Sequence, residues 1–411
     1  MFYTQETQYK YIFNSFFYFL VLLFIFIYLY FIIEILNNFA FSIDFHTKVS
    51  TEDNRKIIGS DFLNLWLYGK AAYTPDPGRF YNQDLYHQKL IEINGAFFGN
   101  NWSYPPSLLL FMAPFGLMSF KLALLLWESL SVSLFVIRLR RFMLNPTALM
   151  LTCLSPASFI TLLCGQTAFL TTVMLISLFI TLDSVPVLAG LLIGCLTIKP
   201  QVGILIPVML VASGRWRVTA IACLTCVLII GLTTTIFGPE VWSQYYEIGL
   251  PTQTKIIAQN NPILLSQMQT PYSFFRLLNF DLQKSLVAQG LFTLGAALLT
   301  FWAFVYRRKA EPHLLMAHFF ACSAVASPYL LSHDLMPLTA ALLFLMVQNR
   351  LNRFENWATL LVYFLPVLNI YNINILELPS LSPIVPVIMV LLTFKLYHAQ
   401  AGGVSVEKTA P

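Results

Sequence analysis

Charge is what this 411-residue sequence has least of: Asp, Glu, Lys and Arg together make up 10% of it. A soluble globular domain carries roughly 25%. Hydrophobic residues reach 57%, and the mean hydropathy is +0.70. A water-soluble fold of this size has too few polar side chains here to cover its surface. Disorder, collagen, coiled coil and a secreted disulfide scaffold are excluded by the same composition. No Gly-rich phosphate loop follows a strand, and no His/Cys spacing suits zinc. No basic stripe with interleaved aromatics is present either, so the net charge of +5 does not point to nucleic acid. The six cysteines, Cys153, Cys164, Cys195, Cys223, Cys226 and Cys322, sit in apolar runs. They are read as small hydrophobes facing other helices rather than as Cys-x-x-Cys chemistry.

What is abundant is long apolar sequence, so the expected fold is an all-α integral membrane protein forming one polytopic domain over 1–411. Residues 11–35 read as the first transmembrane helix, too long for a cleavable signal and lacking a small-residue cleavage site. Further apolar stretches occupy 105–237 and 282–397. Within 105–137, Pro105, Pro106 and Pro114 break the run, which reads as a lip or re-entrant segment leading into one spanning helix. The basic clusters Arg138/Arg140/Arg141, Arg215/Arg217, Arg307/Arg308/Lys309 and Arg350/Arg353 fall in short connections. The positive-inside rule assigns these to the cytoplasm. Two long polar loops, 37–104 and 238–281, are left for the outer side. About twelve transmembrane helices, with both termini and the 398–411 tail cytoplasmic, satisfy every cluster.

The residues with chemical potential gather in the outer loops and helix breaks. Asp61 opens an aromatic stretch, Ser60 to Ala72, that reads as a helix lying along the interface. An Asp there serves as an N-cap, or as a general base whose pKa apolar surroundings raise. Trp102, Tyr104, Pro105 and Pro106 suit either a helix start in the aromatic belt or, for Tyr104, substrate contact. Gly165-Gln166 interrupts two apolar runs as a turn, where Gln166 can bond freed backbone. Lys199, between Ile198 and Pro200-Gln201, is a lysine at membrane depth, costing about 3 kcal/mol to insert. It either snorkels to the headgroups or holds the phosphate of a lipid carrier. Ser327 to Asp334 forms a polar turn between two spans, and Glu128 reads as an interhelical hydrogen-bond partner.

Seven stretches taken in order resemble glycosyltransferase family 87, membrane enzymes of the C-type glycosyltransferase superfold. They are DFLNLWLYGKAAYTPDPGRFYN (61–82), YPPSLLLFMAPFGLMSF (104–120), CGQTAFLTTVML (164–175) and AGLLIGCLTIKPQVGILIPVMLVASGRWR (189–217). FGPEVW (237–242), MQTPYSFFRLL (268–278) and ASPYLLSHDLMPL (326–338) complete the set. The resemblance implies a polyprenyl-phosphate sugar as co-substrate, with no other cofactor. It also implies inverting, mannosyltransferase-like transfer to a glycolipid or polysaccharide acceptor at the extracytoplasmic face of a bacterial inner membrane. Asp61 matches the general base of such enzymes. The spacing of 44–60 makes Asp44 a second counterpart. Lys199, Gln166 and Gln201 match polar positions near the donor phosphate, and His333 and Asp334 match the turn that closes the site. Because a monophosphate leaving group can be neutralised by one lysine, no metal is expected. The competing reading is a multi-pass transporter or lipid flippase, disfavoured by asymmetric outer loops and by the lack of an evident internal repeat. A non-catalytic assembly subunit is the third.

Overall fold

In a computed structural model of the protein, the residues described are 22–23, 25–30, 33, 39–40, 56–94 and 101–399. Residues 22–23, 25–30 and 33 of the expected first span are helical. The rest of 11–35, Asp44 and residues 400–411 lie outside the described residues. Among those described the architecture is helical, apart from a two-residue parallel pairing of Phe39–Ala40 with Lys56–Ile57 and an isolated bridge between Met268 and Leu331.

Among the described residues, three helices are long and apolar enough to cross a membrane: Phe120–Phe142, Trp216–Phe237 and Leu282–Tyr306. Pro146–Cys153 and Pro156–Cys164, bent by 47° at their junction, make a fourth if they form one span. The expectation of twelve spanning helices is therefore not met among the described residues. The remaining apolar helices, such as Ala168–Thr181 and Pro312–Ala326, have 10–17 residues. At 1.5 Å per residue a 14-residue helix reaches about 21 Å, short of the ~30 Å hydrocarbon core.

These short helices end in pairs, and each break has a local cause. Pro156–Cys164 stops at Gly165, whose φ of +71° is a left-handed cap that glycine supplies without strain. The segment from Pro186 stops at Lys199, where φ −144° and ψ 69° leave the helical region, as expected of a residue preceding proline. Pro312–Ala326 stops at Ser327, extended before Pro328, and the chain resumes as a helix at Met336–Val347. Gln166, Lys199 and the Ser327–Leu335 turn thus occupy three interruptions of apolar helices. The opposite ends carry the basic clusters, tied by the Arg215–Asp183 ion pair (2.8 Å) and by Arg308 donating to the Ser213 carbonyl (3.1 Å).

Small residues let the Lys199 segment pack closely. A Cβ on Gly190 would lie 2.6 Å from Ile221, and one on Gly194 2.4 Å from Thr225. This is the small-xxx-small contact of membrane helices, used here within one chain. The partner helix, Trp216–Phe237, corrects the cysteine reading: Cys223 and Cys226 do stand in a Cys-x-x-Cys spacing. All six cysteines are nonetheless free thiols, and Cys223 is exposed rather than packed on a neighbour. Glu128 departs from expectation as well, since neither carboxylate oxygen has a hydrogen-bond partner among the described residues.

Of the described residues before Leu108, 56–94 and 101–107 pack closely on the helices that follow. Ser60–Ala71 is buried against neighbouring helices along nearly its whole length. It crosses Leu108–Gly116 so closely that a Cβ on Gly69 would sit 2.3 Å from the Met112 carbonyl. Trp102 is fully buried and stacks on Tyr68 with ring centroids 3.5 Å apart. The 238–281 loop is helical too, with a π-turn at Tyr245–Gly249 seated on Tyr81. Its far end joins the 327–335 turn: Gln269 N–H donates to the Leu330 carbonyl (2.9 Å), and Ser332 Oγ donates to the Gln267 carbonyl (2.8 Å).

Candidate active site

Asp61 stands in the first turn of Ser60–Ala71, but Gly59 occupies the cap position and makes no side-chain cap bond. The N-cap reading of Asp61 is therefore not what the structure shows. Its Oδ2 instead accepts a 2.7 Å hydrogen bond from Gln166 Nε2. The helix is fixed here from both sides: Gly59 N–H donates to the Leu163 carbonyl (2.8 Å), and Phe62 lies against Gly165. Gln166 is buried, and its Oε1 accepts from the Thr167 N–H (3.3 Å), so the amide is oriented before it reaches Asp61.

Lys199 is 3% exposed, so it does not snorkel. Its ammonium donates to Asp334 Oδ1 at 2.6 Å and lies 3.5 Å from His333 Nε2. An imidazole nitrogen facing an ammonium must accept, which assigns the proton of a neutral His333 to Nδ1. Among the described residues, Asp334 Oδ2 receives only a long bond from the Leu331 N–H, 3.4 Å. An ammonium has three donors; Asp334 takes one and His333 faces a second. The third is held in place for a further acceptor.

The two halves face one electrostatic space. The Asp61 charge acts on Tyr86, Tyr104, Tyr329 and His333, and the Asp334 charge acts on Tyr104 and Tyr329. Burial first, then these two carboxylates, raises the Tyr104 phenol well above its ordinary pKa, so it stays a hydrogen-bond donor. Tyr104 is positioned through its backbone, since the hydroxyls of Tyr68 and Tyr81 both donate to its carbonyl at 2.9 and 2.7 Å. Of the residues named from sequence, Asp61 and Gln166 form one contact group and Lys199, His333 and Asp334 another, and Tyr104 feels the carboxylate of each. Gln201 lies half-buried in the Pro200–Gly203 turn, and no hydrogen bond joins it to either group among the described residues. No group of three His, Cys, Asp or Glu able to hold a metal occurs among those residues.

A family model described as glycosyltransferase family 87 matches residues 102–332, more than half of the chain. The chain belongs to glycosyltransferase family 87. No curated protein and no solved structure matches it. Family 87 membership makes it a membrane glycosyltransferase. The matched stretch contains Tyr104, Gln166, Lys199 and Gln201, ends just before His333 and Asp334, and begins after Asp61. Three residues that sequence reading did not single out border this family 87 site. Tyr329 is held by a hydrogen bond with Gln253, and buried Gln269 donates from Nε2 to Ser332 Oγ at 3.0 Å. Tyr329 and Gln269 lie in two of the family-like stretches, which was a usable signal. Gln253 had none.

Proposed function

We propose that this protein transfers a sugar from a polyprenyl monophosphate to a hydroxyl of a glycolipid or polysaccharide acceptor, with inversion, at the extracytoplasmic face of a bacterial inner membrane. The observation that carries the reading is one carboxylate, Asp61, bonded to Gln166 and in no ion pair among the described residues, together with a buried lysine, Lys199, steadied by its own carboxylate partner Asp334. Asp61 takes the proton of the acceptor hydroxyl. The acceptor oxygen attacks the anomeric carbon from the face opposite the phosphate, and the C1–O bond breaks with its electron pair passing to the phosphate oxygen. Lys199, steadied by Asp334, stabilises the extra charge that appears on that phosphate. A phosphate leaving group needs no acid, so one base suffices, unlike the paired carboxylates of a glycosidase.

The sidedness follows from the basic clusters, which gather at the helix ends away from the site. A mannose donor and a need for no metal are part of the same proposal. Deleting the gene and comparing cell-envelope glycans and lipids by mass spectrometry tests it. A missing hexose increment, restored by the wild-type gene and not by Asp61→Asn, is expected. An unchanged envelope profile would overturn it.

A further inference from the structure

A cavity of ≈ 20 Å³ lies against Asp334, lined by Leu175, Val202, Phe320 and Ser323 among others. Its walls are apolar except for Asp334 and Ser323. Ser323 is 6% exposed, and its hydroxyl has no hydrogen-bond partner among the described residues. The Asp334 carboxylate is satisfied at Oδ1 by Lys199, while Oδ2 receives only the long 3.4 Å bond from Leu331. Two under-satisfied polar groups therefore border one cavity, and its volume exceeds the roughly 10–15 Å³ that a single water requires. A buried hydroxyl and a buried carboxylate each lose free energy when left without partners, so a shared water satisfies both at once.

We infer that Ser323 is a positioning residue for Asp334, acting through one buried water that bridges the hydroxyl to the carboxylate. The bridge fixes rotation of the carboxylate, so that Oδ1 stays on the Lys199 ammonium and the third ammonium donor keeps its direction. The inference rests on the proposed role of Lys199 at the donor phosphate, and it adds a residue one helix deeper than any the reaction touches.

Three variants test it, assayed in membranes for transfer from undecaprenyl-phosphate mannose to endogenous acceptor lipids. Ser323→Ala removes the hydroxyl, Ser323→Thr keeps it, and Ala324→Val narrows the cavity while leaving Ser323 intact. Expected are a roughly ten-fold fall in kcat for Ser323→Ala and for Ala324→Val, with unchanged melting temperature, and near wild-type turnover for Ser323→Thr. A cryo-EM map of the wild-type protein at high resolution should show one density peak between Ser323 Oγ and Asp334, absent in Ser323→Ala. Ser323→Ala with wild-type turnover, or a map without that peak, overturns the bridge. If Asp334→Asn is inactive in the same assay, the reading of the site survives that failure. If Asp334→Asn and Asp61→Asn both turn over normally, the reading of the site has failed as well.

Discussion

Gly165 joins two requirements that separate cleanly by mutation. Its φ of +71° is left-handed, which disfavours any residue with a Cβ by about 1–2 kcal/mol. An added Cβ would also stand 2.4 Å from the Phe62 Cβ, about 1 Å inside ordinary van der Waals contact. Phe62 follows Asp61, and Gln166 follows Gly165, so relieving that clash moves the two partners of the 2.7 Å Asp61–Gln166 bond apart. A shift of about 1 Å takes the bond beyond hydrogen-bonding range. Gly165→Ala should therefore cost about 2–5 kcal/mol in stability, combining strain with overpacking of about 1–3 kcal/mol. It should also lower transfer on the order of 100-fold, the effect of an ångström's misplacement at a reacting group. Gly214 is the internal control, with φ +64° and nothing within 4 Å of its missing Cβ. Gly214→Ala should show the strain alone, about 1–2 kcal/mol, with transfer unchanged. Melting temperatures in detergent and initial rates in membranes read both effects. Wild-type transfer by Gly165→Ala, or equal losses of transfer in the two variants, would refute the reasoning.

Three further outcomes follow from the same geometry. Removing either partner of the buried Lys199–Asp334 pair should destabilise by about 3–5 kcal/mol. The double variant Lys199→Met with Asp334→Leu should recover most of that stability and none of the transfer, so a thermal melt beside an activity assay separates the two roles. Of cysteines placed at exposed Asp76 and Arg217, a membrane-impermeant maleimide should label Asp76→Cys in intact cells and Arg217→Cys only after the cells are permeabilised. Labelling of Arg217→Cys in its place would reverse the orientation. Transfer should persist in excess EDTA, because one lysine meets the charge developing on the phosphate. A requirement for a divalent ion would assign that task to a metal.

Much of the site could be read before the fold, for a physical reason. Lys199 at membrane depth and Gly165-Gln166 between apolar runs are costly placements in lipid, and such placements stand out against 57% hydrophobic sequence. Lys199's partner could not be deduced that way, because Asp334 meets it across 135 residues. Helix length does not confirm the count of twelve spans, for the opposite reason. Apolar runs of 10–17 residues each look like crossings, yet proline and glycine stop them at the level of the site. Ser60–Ala71 carries no marked one-sided pattern, and its burial follows from Gly69 meeting Gly116, a contact between residues whose lack of side chain leaves no apolar signal.

The most direct test of the chemistry uses purified protein in liposomes with radiolabelled undecaprenyl-phosphate mannose and an envelope lipid extract as acceptor. Wild-type protein should move label into the acceptor lipid, and Asp61→Asn, folded and with an unchanged melting temperature, should move none. Equal transfer by the two proteins would contradict the account.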